Sequence, residues 1–89
     1  MTAYKIKAPL KHITTDSRAV KQGSLFLAYP GDASDGRTYI ADAIKKGAGA
    51  VLWDSQGFKW NPDWNIENQP IKQLRLQASK IASQFYNNP

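Results

Sequence analysis

The hydrophobic positions alternate between continuous runs and helically spaced stripes along the chain. From His12 to Thr15 a short β-branched run ends at the polar turn Asp16-Ser17-Arg18, which predicts a strand entering a loop. Leu25-Phe26-Leu27-Ala28-Tyr29 is apolar throughout and is closed by Pro30-Gly31. A run without alternation is what burial on both faces requires, so this segment predicts a central strand. Pro30 to Gly36 then holds one proline, two glycines, two aspartates and a serine, each of which favours a turn for its own reason. Beyond it Tyr39, Ile40, Ala43 and Ile44 fall at helical spacing. Lys45 and Lys46 suit the negative end of a helix dipole, and Gly47 is a natural stop.

Ala48 to Trp53 is another apolar run. Strand, helix and strand at these lengths make a βαβ unit with parallel pairing. Asp54 to Gln69 is polar with Trp60, Pro62 and Trp64 embedded in it. Two readings stay open there: an irregular excursion, or one that carries a short strand near Asn65 to Asn68. Ile71, Leu74, Ala78, Ile81 and Phe85 step by three and four and place an apolar stripe on a last helix. Pro70 suits its first turn, where a missing N–H costs nothing. Tyr86-Asn87-Asn88-Pro89 ends the helix and is read as a domain boundary. The fold class expected is α/β, a small mostly parallel sheet with flanking helices, with residues 1–89 as one domain.

Composition removes more than it adds. With no cysteine and one histidine, His12, the chain has no disulfide framework, thiolate zinc site, cysteine nucleophile or multi-histidine metal site. No catalytic residue and no metal ligand are therefore assigned. The absence of cysteine fits a reducing compartment. The sequence also has neither an apolar stretch of about 20 residues nor a signal-peptide core, so a soluble cytoplasmic protein without membrane contact is expected. The net charge of +5 raises a basic nucleic-acid-binding module as an alternative. Lys5, Lys7 and Lys11 carry three of those charges, whereas residues 13–54 hold five basic and five acidic side chains. That neutrality argues against nucleic acid as a partner. The lysines read as a solvated arm, and Trp53, Trp60 and Trp64 as packing against the sheet.

Two loops stand out, Thr14-Thr15-Asp16-Ser17-Arg18 and Gly31-Asp32-Ala33-Ser34-Asp35-Gly36. In a parallel sheet both follow the carboxyl ends of strands, where α/β proteins bind ligands. The second also precedes a helix N-terminus, whose free N–H groups and dipole favour a phosphate. Glycines at 31 and 36 would let the backbone approach a ligand. The hydroxyls of Thr15, Ser17 and Ser34 could bind phosphate oxygens or a base edge. The plainer readings are Asp35 as a helix N-cap, Arg18 paired with Asp16 or Asp35, Ser17 bonded to its own backbone, and His12 as structural. No G-x-x-x-x-G-K-[ST] phosphate loop and no G-x-G-x-x-G fingerprint occur, so nucleotide binding without hydrolysis is expected.

The ordered pattern D-S-R, G-x-L-F-x-A, G-x-x-x-D-G and G-A-x-A-V-L over residues 15–52, with Phe85-Tyr86 and Pro89 at the end, resembles the N-terminal domain of the Mur ligases. Within that family it is most like the MurE type, which adds a diamino acid to the peptidoglycan stem peptide. The MurF type shares the D-S-R and G-x-x-x-D-G pieces and is the alternative. The resemblance implies a three-domain, ATP-dependent ligase of which this is the first domain, with the central ATPase and C-terminal domains outside this chain. It implies UDP-N-acetylmuramoyl-L-alanyl-D-glutamate as the partner molecule, its uridine diphosphate held by Thr15, Ser17, Asp32, Ala33 and Ser34. ATP and magnesium belong to the full-length enzyme, and no cofactor to this domain. Many relatives carry leucine at position 15 and histidine at position 32. An aspartate at 32 would have to face a diphosphate with its backbone. The short basic segment before the first strand implies that an N-terminal element of some relatives is truncated or absent.

Overall fold

The computed structural model describes residues 10–31 and 34–87. Four strands lie side by side in chain order, β1 (His12–Thr14), β2 (Ser24–Ala28), β3 (Ala50–Asp54) and β4 (Glu67–Ile71), and each pair of neighbours is parallel. Two helices accompany them, α1 (Ile40–Lys45) and α2 (Leu74–Asn87). Single 3₁₀ turns occupy Ser17–Ala19 and Gly36–Tyr39. The α/β class and the parallel βαβ unit expected from the sequence are both present.

The uninterrupted apolar runs of β2 and β3 have their cause in the layering. Phe26, Ala28, Val51 and Trp53 face a core closed by Val20, Ile40 and Ala43. Leu25, Leu27, Ala50 and Leu52 face the opposite core, closed by Ile71, Leu74 and Ile81. Successive strand residues point to opposite faces, so both sets must be apolar once each face is covered. Among the described residues no helix is long and apolar enough to cross a membrane.

The connection from β3 to β4 has no helix. Its aromatic side chains take over the covering: Trp53 stacks on Trp60 with ring centroids 5.5 Å apart, Trp60 meets Trp64 edge-on at 5.0 Å, and Phe58 meets Trp53 at 5.7 Å. Trp53 Nε1 donates to Asn68 Oδ1 at 2.9 Å, so the indole is buried without orphaning its donor. The tryptophans do pack against the sheet. Of the two open readings for this segment, the one with a strand is correct, although the strand begins at Glu67 and runs to Ile71.

That strand corrects the expected start of the last helix. Pro70 lies in β4 opposite Trp53 and not in a first helical turn. β4 is an edge strand, where a residue without an N–H is tolerated. Ile71 ends the strand, and Gln73 with φ 53° turns the chain before α2 begins at Leu74. Ile71 and Leu74 share one core, so a strand residue continues the helical stripe by coincidence of spacing. The other members, Leu74, Ala78, Ile81 and Phe85, do line that core face.

Gly47 stops α1 as expected. Its N–H donates to Ile44 O at 3.1 Å, the N–H of Ala48 donates to Ala43 O at 3.1 Å, and its φ is +102°. This is the Schellman pattern, which needs a left-handed residue after the helix. A Cβ there would sit 3.1 Å from the backbone Cα of Gln22, whereas one at Gly57 (φ +69°) would meet nothing within 4 Å. Gly47→Ala should therefore cost about 2 kcal/mol and Gly57→Ala about 1 kcal/mol. Urea unfolding of the two variants checks this, and equal midpoints would refute the packing contribution at Gly47.

Candidate functional site

Each of the two loops ends in the same local device, an aspartate that caps a 3₁₀ turn and an arginine two residues later. In the first loop Asp16 Oδ1 accepts the N–H of Arg18 at 2.9 Å, and its two oxygens accept Arg18 Nε and Nη2 at 3.1 and 3.2 Å. Asp16 N in turn donates to Thr14 Oγ1 at 3.0 Å. The guanidinium holds the Asp16 carboxyl below its ordinary value, helped by the backbone N–H. This pair lies in water, with the Arg18 side chain 86% exposed.

In the second loop Asp35 Oδ1 accepts the N–H of Arg37 at 2.9 Å, and Nη2 of Arg37 reaches Asp35 Oδ2 at 2.8 Å. Here the arginine is buried, its side chain 9% exposed. Nη1 donates to the carbonyls of Asp54 and Gln56 at 2.8 and 2.7 Å, and the guanidinium lies 5.0 Å from the centre of the Phe58 ring. A buried cation without such partners would be costly. The same guanidinium lowers the Asp35 carboxyl, chiefly through its side-chain hydrogen bonds. Asp35 is thus the expected N-cap, and Arg18 pairs with Asp16 and not with Asp35.

In the turn that leads into α1 the first three N–H groups are already used. Gly36 N donates to Tyr29 O at 2.9 Å, Arg37 N to the Asp35 carboxylate, and Thr38 N to Asp35 O at 3.0 Å. None of these three N–H groups is left for a phosphate, and the Asp35 carboxylate would repel one. Gly36 also has a different use from the one expected. A Cβ there would stand 3.1 Å from Tyr29 O, so the missing side chain lets the loop close on its own strand.

Between the loops, at the carboxyl ends of β1 and β2, lies a cleft of about 430 Å³. Thr15, Ser17 and Ser34 all line it, so the structure brings together three of the five residues predicted as contacts. Asp32 and Ala33 lie outside the described residues. None of the hydroxyls of Thr15, Ser17 and Ser34 has a hydrogen-bond partner among the described residues, and Ser17 is not turned onto its own backbone. Leu27 and Tyr29 also line the cleft, as do Tyr39 and Arg18. The tyrosines were missed because Tyr29 reads as the end of an apolar run and Tyr39 as part of a helical stripe. The signal available was the polar tip of each ring beside a loop, and Tyr39 is indeed 40% exposed. His12 is outside this lining, with Nε2 buried and without a hydrogen bond. Among the described residues no group of three or more His, Cys, Asp or Glu side chains could hold a metal ion.

A family model described as "Mur ligase family, catalytic domain" matches residues 9–86. The UDP-N-acetylmuramoyl-L-alanyl-D-glutamate--2,6-diaminopimelate ligase of Janthinobacterium sp. (strain Marseille) is 43% identical over 92% of this chain and 16% of its own length. The same ligase from Neisseria meningitidis serogroup A is 49% identical over 83% of this chain and 15% of its own length. The chain thus spans about a sixth of these curated relatives. Among solved structures, MurF from Acinetobacter baumannii superposes with a TM-score of 0.64 at 25% identity, over 81% of this chain and 15% of that one. MurF ligase from Thermotoga maritima in complex with ADP shares the fold, with a TM-score of 0.65 over 88% of this chain and 17% of that one at 20% identity.

Two stability predictions follow from the arginine that joins the second loop to β3. Arg37→Met should cost about 3 kcal/mol in urea unfolding, because Asp35 and two carbonyls lose their donor; a loss below about 1 kcal/mol would mean that water replaces the guanidinium. A carboxyl lowered in the folded state adds stability above its unfolded value near 3.8 and loses it as pH falls through the folded value. Asp35→Asn should accordingly be less stable than the parent at pH near 7, with the gap closing below about pH 4. A pH-independent gap would contradict the assignment.

Proposed function

The chain belongs to the Mur ligase family, and from that premise we propose that residues 1–89 form the N-terminal domain that holds the uridine diphosphate end of UDP-N-acetylmuramoyl-L-alanyl-D-glutamate. The complete ligase adds a diamino acid to this substrate in peptidoglycan synthesis, forming the amide bond at the expense of ATP. The names of the relatives specify 2,6-diaminopimelate, which we take as that diamino acid. Identity to diaminopimelate ligases of 43% and 49%, against 25% to a MurF structure, favours this reading over the MurF type.

The observation that carries the proposal is the convergence of two loops on one cleft with unspent hydroxyls from Thr15, Ser17 and Ser34. We assign Asp32 and Ala33, which directly precede Ser34 in sequence, to the same contact set. For Asp32 the contact expected is through its backbone, because a carboxylate would repel a diphosphate. The work of these residues is to bind and orient. Binding energy gathered at the non-reacting nucleotide end restricts where the peptide end can go, which lowers the entropic part of the barrier at a distant reaction centre.

ATP and magnesium do not fit the residues here. The sequence has no phosphate-loop motif, and among the described residues no acidic or histidine group suits a metal. The proposal assigns both to other domains of the ligase, so this chain alone is expected to be catalytically inactive. Nucleic acid finds little support as a partner, since the tryptophans spend their faces on one another.

An NMR titration of the chain with UDP-N-acetylmuramoyl-dipeptide, UDP and AMP tests the proposal, carried to about 1 mM, where weak binding of around −4 kcal/mol is visible. Uridine-selective shifts should cluster at residues 15–18 and 31–36. Ser17→Ala should weaken them about fivefold, the loss of one neutral hydrogen bond. Equal response to AMP, or no response in a folded sample, would overturn it.

A further inference from the structure

We propose that Arg18 is the diphosphate anchor of the cleft, its guanidinium donating hydrogen bonds to the phosphate oxygens of a nucleoside diphosphate whose nucleoside end occupies the space between the loops. The inference rests on the uridine diphosphate reading above and adds a residue that reading does not use.

A diphosphate brings negative charge that something at the site must meet. The N–H groups of Gly36, Arg37 and Thr38 are spent within the protein, so the turn that begins the helix cannot do it. Arg18 is the only cationic side chain among the described residues lining the cleft. The other arginine nearby, Arg37, is buried and committed to Asp35 and to the carbonyls of Asp54 and Gln56. Arg18 is instead open to water and, among the described residues, is paired with Asp16 alone.

That pairing prepares Arg18 for a phosphate without using it up. Of five guanidinium N–H donors, one on Nε and one on Nη2 go to Asp16. The remaining three, two of them on Nη1, have no partner among the described residues. Asp16 is itself held by the backbone N–H of Arg18, so the carboxylate fixes the direction of the side chain and leaves its outer edge free. A planar guanidinium edge is suited to two phosphate oxygens at once. The charge balance points the same way. Without Arg18 the described lining would keep Asp16 as its one charged group and would repel the ligand it is built to hold.

The test compares uridine, UMP and UDP as ligands of the chain, its Arg18→Gln variant and its Arg18→Lys variant, by calorimetric or NMR titration at low and high salt. The parent should bind UDP more tightly than uridine, with the difference shrinking as salt rises. Arg18→Gln should lose about tenfold in UDP affinity, the worth of a charge-assisted hydrogen bond, while uridine binds it as it binds the parent. Arg18→Lys should fall between, having the charge but not the planar edge. Undiminished UDP binding by Arg18→Gln, with uridine still bound, would remove the anchor and leave the nucleotide reading intact. Failure of both uridine and UDP to bind the parent would overturn the two together. Equal loss for uridine and UDP would make Arg18 a structural residue of the loop and refute the proposal.

Discussion

The buried guanidinium of Arg37 is the interaction on which the arrangement around the cleft depends. It joins two parts of the chain far apart in sequence: the loop after β2 through Asp35, and the stretch that leaves β3 through the carbonyls of Asp54 and Gln56 and the Phe58 ring. Each of these segments leaves the sheet at a strand's carboxyl end, where ladder hydrogen bonding stops and backbone groups need other partners. One planar cation with several donors satisfies them together. The wall of the cleft contributed by Ser34 and Gly36 is held by this side chain together with the backbone hydrogen bonds Gly36 N–H to Tyr29 O and Gly31 N–H to Ser34 O.

The cleft itself is a product of parallel topology. Strands running the same way bring their carboxyl ends to one edge of the sheet, and the loops that leave β1 and β2 there form the two sides of the cleft. Here the two walls use one local solution, an aspartate capping a short turn and an arginine two residues on. The first is solvent-facing and the second buried. The difference lies in what covers each loop. The β3 to β4 connection lies over Arg37, while Arg18 stays at the open rim of the cleft.

Much of the fold was legible because the central strands obey simple patterning. β2 and β3 are apolar without alternation since both faces of the sheet are covered, and Gly47 marks the helix end because the chain must turn left-handed there. β4 was harder to read. Glu67, Asn68, Gln69 and Pro70 carry no apolar run, and their strand geometry comes from pairing with β3 and not from intrinsic preference. Pro70, read locally, belongs equally to a helix start or to a sheet edge. Ile71 sits three positions before Leu74 and so mimics a helical stripe, although the two reach the same core from different elements.

The sequence by itself determined the α/β class, the central strands, the position of the two polar loops and the hydroxyl residues Thr15, Ser17 and Ser34 within them. These follow from local periodicity and turn chemistry, which act over a few residues. Only the tertiary structure decided that Ser34 faces the same cleft as Thr15 and Ser17, that Tyr29 and Tyr39 join them, and that the turn leading into α1 spends its first N–H groups within the protein. It also decided which of two locally identical aspartate–arginine pairs is buried and which is free. Burial is set by what packs over a residue from elsewhere in the chain, and Asp16-Ser17-Arg18 and Asp35-Gly36-Arg37 carry no local trace of their distant neighbours.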